Sequence, residues 1–205
     1  MKKLLSLLIL LTLSAQTVWA DDPVEPCDFV FVDLDAHWAH YAVEDLYCRG
    51  IVEGRTTYYY EPDDEITRAE FLKLVLLNAG EDVNAFSSLT EPFYDVDEDD
   101  WFWIYVVAGF DLGLITSFTE FRPNEPINRA EAVTMIVRHA DVVSSESYSS
   151  YVDVPINAWY SESVRTADNW GVVQGYEDNT FRPANFSSRA EAAIMIDNSY
   201  DAWYQ

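Results

Sequence analysis

The chain has 205 residues, of which 12 are lysine or arginine and 36 are aspartate or glutamate, so its formal net charge is −24. Apolar residues make up 49% of the chain and aromatic residues 15%, which excludes a disordered protein, because disordered chains are poor in aromatic residues. The negative charge argues against nucleic acid and against an anionic membrane surface as partners, because both would repel the protein.

The first twenty residues are typical of a secretory signal peptide. Lys2 and Lys3 precede an apolar run over 4–13, and Ala20 offers a small residue at the cleavage position before Asp21. The alternative, an uncleaved anchor, is disfavoured because the run is shorter than the ~20 residues that span a bilayer. We predict an exported protein that does not insert into the membrane after cleavage. Loss of two lysines with the signal peptide brings the net charge to −26.

Cys27 and Cys48 are the two cysteines of the chain. In an exported protein an even number of cysteines suggests a disulfide, which here would tie an N-terminal arm, residues 21–28, to the first helix. Closing a loop of this length would add roughly 3 kcal/mol of stability. Two unpaired thiols are the alternative. Two cysteines and three scattered histidines do not make a zinc site, so no metal site is predicted.

An internal repeat organises the rest of the chain. Each of three units contains an aromatic-x-Asp opening, a tryptophan, a glycine twelve residues later, an aromatic-x-Pro step and an Arg-Ala-Glu motif. These landmarks are Asp33, Trp38, Gly50, Pro62 and Arg68 in unit 1; Asp95, Trp101, Gly113, Pro123 and Arg129 in unit 2; and Asp153, Trp159, Gly171, Pro183 and Arg189 in unit 3. We assign the units to residues 29–86, 87–146 and 147–205.

Each unit is predicted to fold as helix, loop and helix. The first helix runs from about the tryptophan to the glycine, which suits a helix C-terminus. The second helix has an N-cap residue and a glutamate three residues later, which form a capping box. These pairs are Thr67 and Glu70, Asn128 and Glu131, and Ser188 and Glu191. Short strands at the unit openings or before the prolines are a further expectation.

A single unit of about 60 residues would struggle to bury the broad apolar face of its second helix. Three similar units can share one core. We therefore expect one compact, pseudo-threefold body in which the three second helices meet at the centre.

These landmarks resemble those of the S-layer homology family over about residues 29–205. Unit 1 carries Ile66-Thr-Arg-Ala-Glu70, and unit 3 carries Gly171-Val-Val-Gln-Gly175 and Phe181-Arg-Pro183. The resemblance implies a mainly α-helical, three-pronged bundle in the bacterial cell envelope or on the cell surface. It also implies binding to cell-wall polysaccharide, often a pyruvate-bearing secondary polymer, in grooves between adjacent units.

Unit 2 departs most from the family pattern. Ser117 stands where the second glycine of the turn is expected, and Asn128 replaces threonine. In unit 3, Ser187 and Ser188 replace the Ile-Thr pair. The groove that involves the unit 2 turn therefore differs most from the pattern.

Arg68, Arg129 and Arg189 are the candidate anion-binding residues. Each falls in the first turn of a helix, where the macrodipole disfavours a cation by up to ~1 kcal/mol, so each needs a partner. Free backbone N–H groups at the same helix end would also favour an anion. The planar guanidinium suits a carboxylate such as a pyruvyl ketal. Since the net charge offers no long-range attraction to an anionic polymer, recognition would rest on local contacts; a neutral ligand or a bridging cation are the alternatives.

The other candidate glycan-binding residues each have a structural alternative. The tryptophans stack on a sugar ring or belong to the core: Trp38, Trp101 and Trp159. The opening aspartates bind glycan, accept backbone hydrogen bonds or pair with the arginines: Asp33, Asp95 and Asp153. Two turn glycines permit a positive φ and let a ligand approach the backbone: Gly54 and Gly175. For the three glutamates, capping alone is a sufficient role.

Two other classes of function compete with wall binding. Residues 95–100 and 63–65 are rich in carboxylates, which suits a calcium-dependent structural or assembly protein, although no EF-hand spacing is present and a solvated acidic face is the alternative. No Gly-x-Ser-x-Gly, phosphate-loop or His-Glu-x-x-His motif occurs, and the units leave no room for a catalytic domain, so we predict no catalysis and no cofactor.

The units fill the mature chain, so no tethered second domain is expected. The protein would then act as an adaptor for another envelope protein, or bind the wall for itself. Aromatic residues around 58–60 and 200–204 are candidates for a partner surface, with core packing as the alternative.

Overall fold

The computed structural model describes residues 27–87, 93–116, 119–141 and 151–203, the side chains of 201–203 excepted. The predicted signal peptide, most of the N-terminal arm, Ser117 and residue 204 lie outside these ranges. Within them, no helix combines the length and apolar character that crossing a membrane requires.

The fold is mainly α-helical, as predicted, with two helices in each unit. They are α1 (His40–Cys48) and α2 (Arg68–Asn78) in unit 1, α3 (Trp103–Asp111) and α4 (Arg129–Ala140) in unit 2, and α5 (Ser161–Asn169) and α6 (Arg189–Trp203) in unit 3. Two short 3₁₀ helices, Val32–Leu34 and Val83–Phe86, precede α1 and follow α2.

The predicted short strands do not form in the described residues. Isolated bridges occur instead, between Glu65 and Ser188, Thr67 and Pro126, and Asn128 and Phe186. Each of these segments turns directly into the N-cap of a second helix, so pairing cannot extend beyond one residue.

The first helices begin two residues after their tryptophans and end two residues before their glycines. Gly50, Gly113 and Gly171 have φ values of 72°, 78° and 71°. This left-handed conformation, which residues with a Cβ rarely adopt, ends the helix and turns the chain back toward the core.

The three second helices contact one another at the centre of the molecule. Leu72 and Leu76 of α2, Val133 and Ile136 of α4, and Ile196 of α6 are all fully buried there. Each first helix packs on the second helix of the preceding unit: α3 on α2, α5 on α4, and α1 on α6. The last of these contacts closes the three units into a ring.

A triangle of backbone hydrogen bonds marks the pseudo-threefold axis. The Ile66 N–H donates to Ser187 O (3.1 Å), the Ser187 N–H donates to Ile127 O (2.9 Å), and the Ile127 N–H donates to Ile66 O (3.0 Å). Ile66 and Ile127 immediately precede the N-caps of α2 and α4, and Ser187 holds the equivalent position before α6. The triangle therefore fixes the starts of all three central helices relative to one another.

A disulfide joins Cys27 to Cys48, with 5.4 Å between the Cα atoms. Cys48 is the last residue of α1, so the bridge ties the start of the described chain to the end of that helix. The alternative of two unpaired thiols is therefore wrong.

Candidate functional site

Three grooves lie between the units, and each is lined by a tryptophan, an arginine and a glutamate from three different units. Groove A contains Trp101, Arg189 and Glu70 in about 300 Å³. Groove B contains Trp159, Arg68 and Glu131 in about 170 Å³. Groove C contains Trp38, Arg129 and Glu191 in about 290 Å³. The predicted site residues of these three kinds are thus brought together.

The packing of the helices explains this exchange of residues. A first helix lies on the second helix of the preceding unit, so its tryptophan faces that unit's glutamate. The arginine that begins each second helix reaches in turn into the loop of the following unit. Its Nε donates to a backbone carbonyl there: Arg68 to Phe121 (2.8 Å), Arg129 to Phe181 (2.9 Å) and Arg189 to Tyr60 (2.8 Å).

The three tryptophans are exposed, so their assignment to the core is wrong. Trp38, Trp101 and Trp159 have 60%, 54% and 63% of their surface accessible. They lie in the turn before the first helix and not on its buried face, which leaves an indole at the rim of each groove.

The three arginines are buried beneath aromatic rings. The guanidinium carbon lies 4.3 Å from the ring centre of Tyr60 for Arg189, 4.7 Å from Phe181 for Arg129 and 5.2 Å from Phe121 for Arg68. Burial lowers the pKa of Arg68 and of Arg189 from the ordinary arginine value. An arginine nevertheless stays charged at neutral pH, so each groove has a fixed cation.

The backbone N–H groups at the start of the second helices are occupied, contrary to the prediction that they are free for an anion. In α2 the Arg68 N–H donates to Glu125 O (2.9 Å) and the Ala69 N–H donates to Pro123 O (3.0 Å). The next N–H, of Glu70, donates to Thr67 Oγ1 (3.3 Å). Loops of the neighbouring unit make the equivalent contacts at α4 and α6, so the first two backbone N–H groups of all three second helices are already hydrogen-bonded.

The opening aspartates accept backbone hydrogen bonds, which confirms one of the two structural alternatives given for them, and they do not pair with the arginines, so the other alternative is wrong. The Asp33 carboxylate accepts the N–H groups of Tyr60 (3.0 Å) and Glu61 (2.7 Å). Asp95 does the same for Phe121 and Arg122, and Asp153 for Phe181 and Arg182. None of the three lines grooves A, B or C.

These aspartates nevertheless position the grooves. They hold a residue of positive φ before each proline, at 59° for Glu61 and Arg122 and 58° for Arg182. The adjacent carbonyls, of Tyr60, Phe121 and Phe181, are the ones that accept from the arginines. Each aspartate therefore helps to position an arginine indirectly, because it fixes the backbone of the residue whose carbonyl the arginine contacts.

Gly54 and Gly175 have no positive φ, so the conformational reason predicted for them is wrong. A Cβ on Gly54 would meet the Phe31 ring and lie 2.5 Å from Thr56 O. A Cβ on Gly175 would meet the Tyr151 ring and lie 2.8 Å from Thr180 O. Glycine is needed at both positions because an aromatic ring and a backbone carbonyl leave no space for a Cβ atom.

The glutamates have two roles, where the sequence suggested capping alone. Oε2 of each accepts the backbone N–H of its N-cap residue, at 2.9 Å for Glu70, 3.2 Å for Glu131 and 3.1 Å for Glu191. Oε1 faces the groove, where Glu131 lies 3.0 Å from Arg68 Nη1 and Glu191 lies 3.5 Å from Arg129 Nη1. All three predicted capping boxes are present, at α2, α4 and α6.

Sequence reasoning missed several groove residues. Arg55 donates to Glu70 in groove A, and the Tyr176 hydroxyl donates to Glu191 (3.3 Å) in groove C. Lys73 also lines groove A. Arg55 and Tyr176 each follow the second turn glycine, and this shared position is the signal that could have identified them.

The acidic segments and two of the clustered tyrosines, Tyr58 and Tyr59, line none of the three grooves, whereas Tyr60 lines groove A. In the described residues, no group of three or more His, Cys, Asp or Glu side chains is placed to hold a metal ion. Tyr58 and Tyr59 are exposed, whereas Tyr60 is buried in the core. Tyr200 is 40% exposed and lies under the guanidinium of Arg49 at 4.1 Å.

The family model for the S-layer homology domain matches residues 30–72, 92–133 and 150–193. Exoglucanase XynX of Acetivibrio thermocellus is 33% identical over 175 residues, which are 81% of this chain and 16% of that protein. The Surface-layer 125 kDa protein of Lysinibacillus sphaericus is 29% identical over 174 residues, 80% of this chain and 14% of that protein. The Cellulosome-anchoring protein of Acetivibrio thermocellus is 26% identical over 151 residues, 69% of this chain and 33% of that protein.

The chain thus spans a third or less of the length of these relatives. The similarity to the exoglucanase concerns a small part of that enzyme and gives no reason to assign catalysis here. S-layer homology domains are anchoring modules of exported cell-envelope proteins, which confirms the predicted localisation. Each matched segment falls within one of the three units that build the grooves, and the chain belongs to the S-layer homology domain family.

Proposed function

We propose that this protein binds a cell-wall polysaccharide in grooves A, B and C, without catalysis, and thereby anchors itself or a partner envelope protein to the bacterial surface. One observation carries the proposal: an exposed tryptophan, a buried arginine and a glutamate recur together three times around one axis. The indole offers an apolar face for a sugar ring, and the guanidinium offers a paired donor for an acidic substituent.

A repeating polymer is the ligand that best matches three similar grooves. Once one groove is filled, the next sugar unit binds from a high local concentration, so weak single contacts add up to firm attachment. A substituent such as a pyruvyl ketal would supply the carboxylate that the arginines favour. The names of the surface-layer and cellulosome-anchoring relatives are consistent with this role.

The state of the groove glutamates supports binding over catalysis. Although burial alone would raise the pKa of Glu70, hydrogen bonds from Arg55 and from the Thr67 backbone bring it below the ordinary glutamate value. Glu131 is held by the Asn128 N–H, Arg68 and Arg122 together. A carboxylate whose pKa is lowered, as that of Glu70 is, makes a poor general acid, whereas glycoside hydrolysis needs a protonated one.

The test is co-sedimentation of the mature protein with cell-wall sacculi of its source organism. A triple variant, Trp38→Ala, Trp101→Ala and Trp159→Ala, removes the three exposed indoles without opening the core. A matched control, Tyr41→Ala, Tyr94→Ala and Val152→Ala, removes three residues that are 81%, 76% and 79% exposed and line none of the three grooves. Circular dichroism checks the folding of both.

We expect the parent and the control to sediment with the sacculi and the tryptophan variant to stay in solution. Equal sedimentation of all three would overturn groove binding. Failure of the parent to bind, with or without calcium, would overturn wall anchoring and favour the competing role in calcium-dependent or protein–protein assembly.

A further inference from the structure

The three grooves differ in what their arginine contacts. In grooves B and C, Oε1 of the glutamate lies 3.0 Å and 3.5 Å from the arginine. In groove A, Oε1 of Glu70 instead accepts a hydrogen bond from Nη1 of Arg55. Among the described residues, no carboxylate oxygen lies within 4.0 Å of the Arg189 guanidinium, which is bonded to the carbonyls of Tyr60 and Glu53.

The residue after the second turn glycine explains the difference between grooves A and C. In groove C this residue is Tyr176, whose hydroxyl donates to Glu191 and leaves that glutamate beside Arg129. In groove A it is Arg55, whose guanidinium makes a stronger, charge-assisted pair with Glu70. Glu70 remains anchored to Thr67 through Oε2, and its Oε1 is turned to Arg55 and away from Arg189. Groove B differs, because Oε1 of Glu131 lies close to both Arg68 (3.0 Å) and Arg122 (2.7 Å).

The side chains that line groove A also carry a more positive net charge than those that line groove C. Arg55, Lys73 and Arg189 line it together with Glu53 and Glu70, and Lys73 Nζ lies 3.7 Å from Glu53. Among the residues that line groove C, the charged ones are Arg129 and Glu191. An incoming carboxylate would have to displace the glutamate in groove C, whereas in groove A the arginine is already available.

We propose that Arg55 is a positioning residue that holds Glu70 away from Arg189 and so makes groove A the groove that receives the acidic substituent of the polymer. Grooves B and C, whose arginines are paired with a glutamate, receive its uncharged sugars. This assignment rests on the proposed glycan binding. It adds to that proposal the identity of the groove, groove A, that distinguishes an acidic polymer from a neutral one.

The experiment compares binding of two probes by calorimetry. One is the polymer released from sacculi of the source organism, and the other is the same polymer after mild acid has removed its ketal-linked acid groups. Arg55→Met should weaken binding of the untreated polymer about tenfold, because Glu70 then pairs with Arg189. Binding of the treated polymer should not change. The Arg55 side chain is 35% exposed, so the substitution leaves the core intact.

Two further variants separate positioning from direct contact. In Arg55→Met with Glu70→Gln, glutamine still accepts the Thr67 N–H but does not neutralise Arg189, so binding of the untreated polymer should return. Arg49→Met removes the same charge at a partly exposed side chain that lines none of the three grooves, and it should bind as the parent does. Thermal unfolding verifies that all variants fold.

Each other result overturns the assignment in a distinct way. Unchanged binding in Arg55→Met would remove any role for Arg55. A loss that Glu70→Gln does not restore would show that Arg55 contacts the polymer directly. An equal loss in Arg49→Met would indicate a general charge effect. Failure of the parent to bind either probe would instead overturn the proposed function itself.

Discussion

Each groove arginine combines three contacts that stabilise a buried cation: a backbone carbonyl, an aromatic ring and, in two grooves, a carboxylate. The macrodipole argument correctly indicated that an arginine in the first turn of a helix needs a partner. It could not identify that partner, because the carbonyl that Arg189 contacts belongs to Tyr60, 129 residues earlier. The contact exists only because α1 packs on α6 and closes the ring.

Substitution of Gly175 tests the steric role of the turn. Gly175→Ala should lower the free energy of unfolding by about 1–3 kcal/mol, because the new Cβ would overlap the Tyr151 ring. Gly171→Ala is the comparison, since its Cβ has open space but a φ of 71°, and it should cost about 1 kcal/mol. Urea unfolding measures both, and a Gly175→Ala variant as stable as the parent would contradict the steric argument.

The stability of the protein in acid should depend on Glu70. Its pKa in the folded state lies below the ordinary value of 4.5, so its contribution is complete above that value and disappears as the pH falls through the folded pKa. Glu70→Gln should therefore make the loss of stability below about pH 4.5 less steep. Glu53→Gln, which changes an exposed carboxylate, is the control and should follow the parent curve.

At the scale of helices, the sequence correctly predicted the features that depend on neighbouring residues in the chain. N-caps, capping boxes and helix-ending glycines depend on residues within one turn, and the structure has them at the expected positions. The grooves could be predicted only in part, because each one combines three units. The sequence left three roles open for the opening aspartates and could not choose among them, because the backbone partners of Asp33 are 27 or more residues away. The role of the turn glycines was mistaken, because the aromatic ring that leaves no space for a side chain at Gly175 comes from the unit opening.

The cap of α4 offers a test at this scale. Asn128→Ala should lower the free energy of unfolding by about 1 kcal/mol, because the Glu131 N–H loses its acceptor. Asn128→Thr restores the residue found in unit 1 and should be nearly neutral. Equal stability of the alanine and threonine variants in urea unfolding would show that the cap contributes nothing measurable.

For the whole molecule, the net charge of −24 predicts an unusual response to salt if the wall polymer is anionic. The protein and the polymer repel each other over the Debye length, which falls from about 30 Å at 0.01 M salt to about 8 Å at 0.15 M. The arginine contacts are buried and are screened less. Association with the acidic polymer should therefore become faster and tighter as salt rises over this range.

Calorimetry or stopped-flow fluorescence of the groove tryptophans can follow this response. Polymer stripped of its acid groups is the control and should bind independently of salt. Weaker binding of the acidic polymer at higher salt would mean that exposed cations attract it over long range, contrary to the buried arrangement of the grooves.

The closed ring of helix contacts also sets the smallest functional length of the chain. Removing unit 3 would take Arg189 from groove A, Trp159 from groove B and Glu191 from groove C. A fragment of two units would therefore keep no complete groove, and its wall binding should vanish, not fall by a third. The proposed wall binding therefore cannot survive the loss of a single repeat. Duplication of the binding module, or its transfer to another gene, would preserve that binding only if all three repeats are copied together.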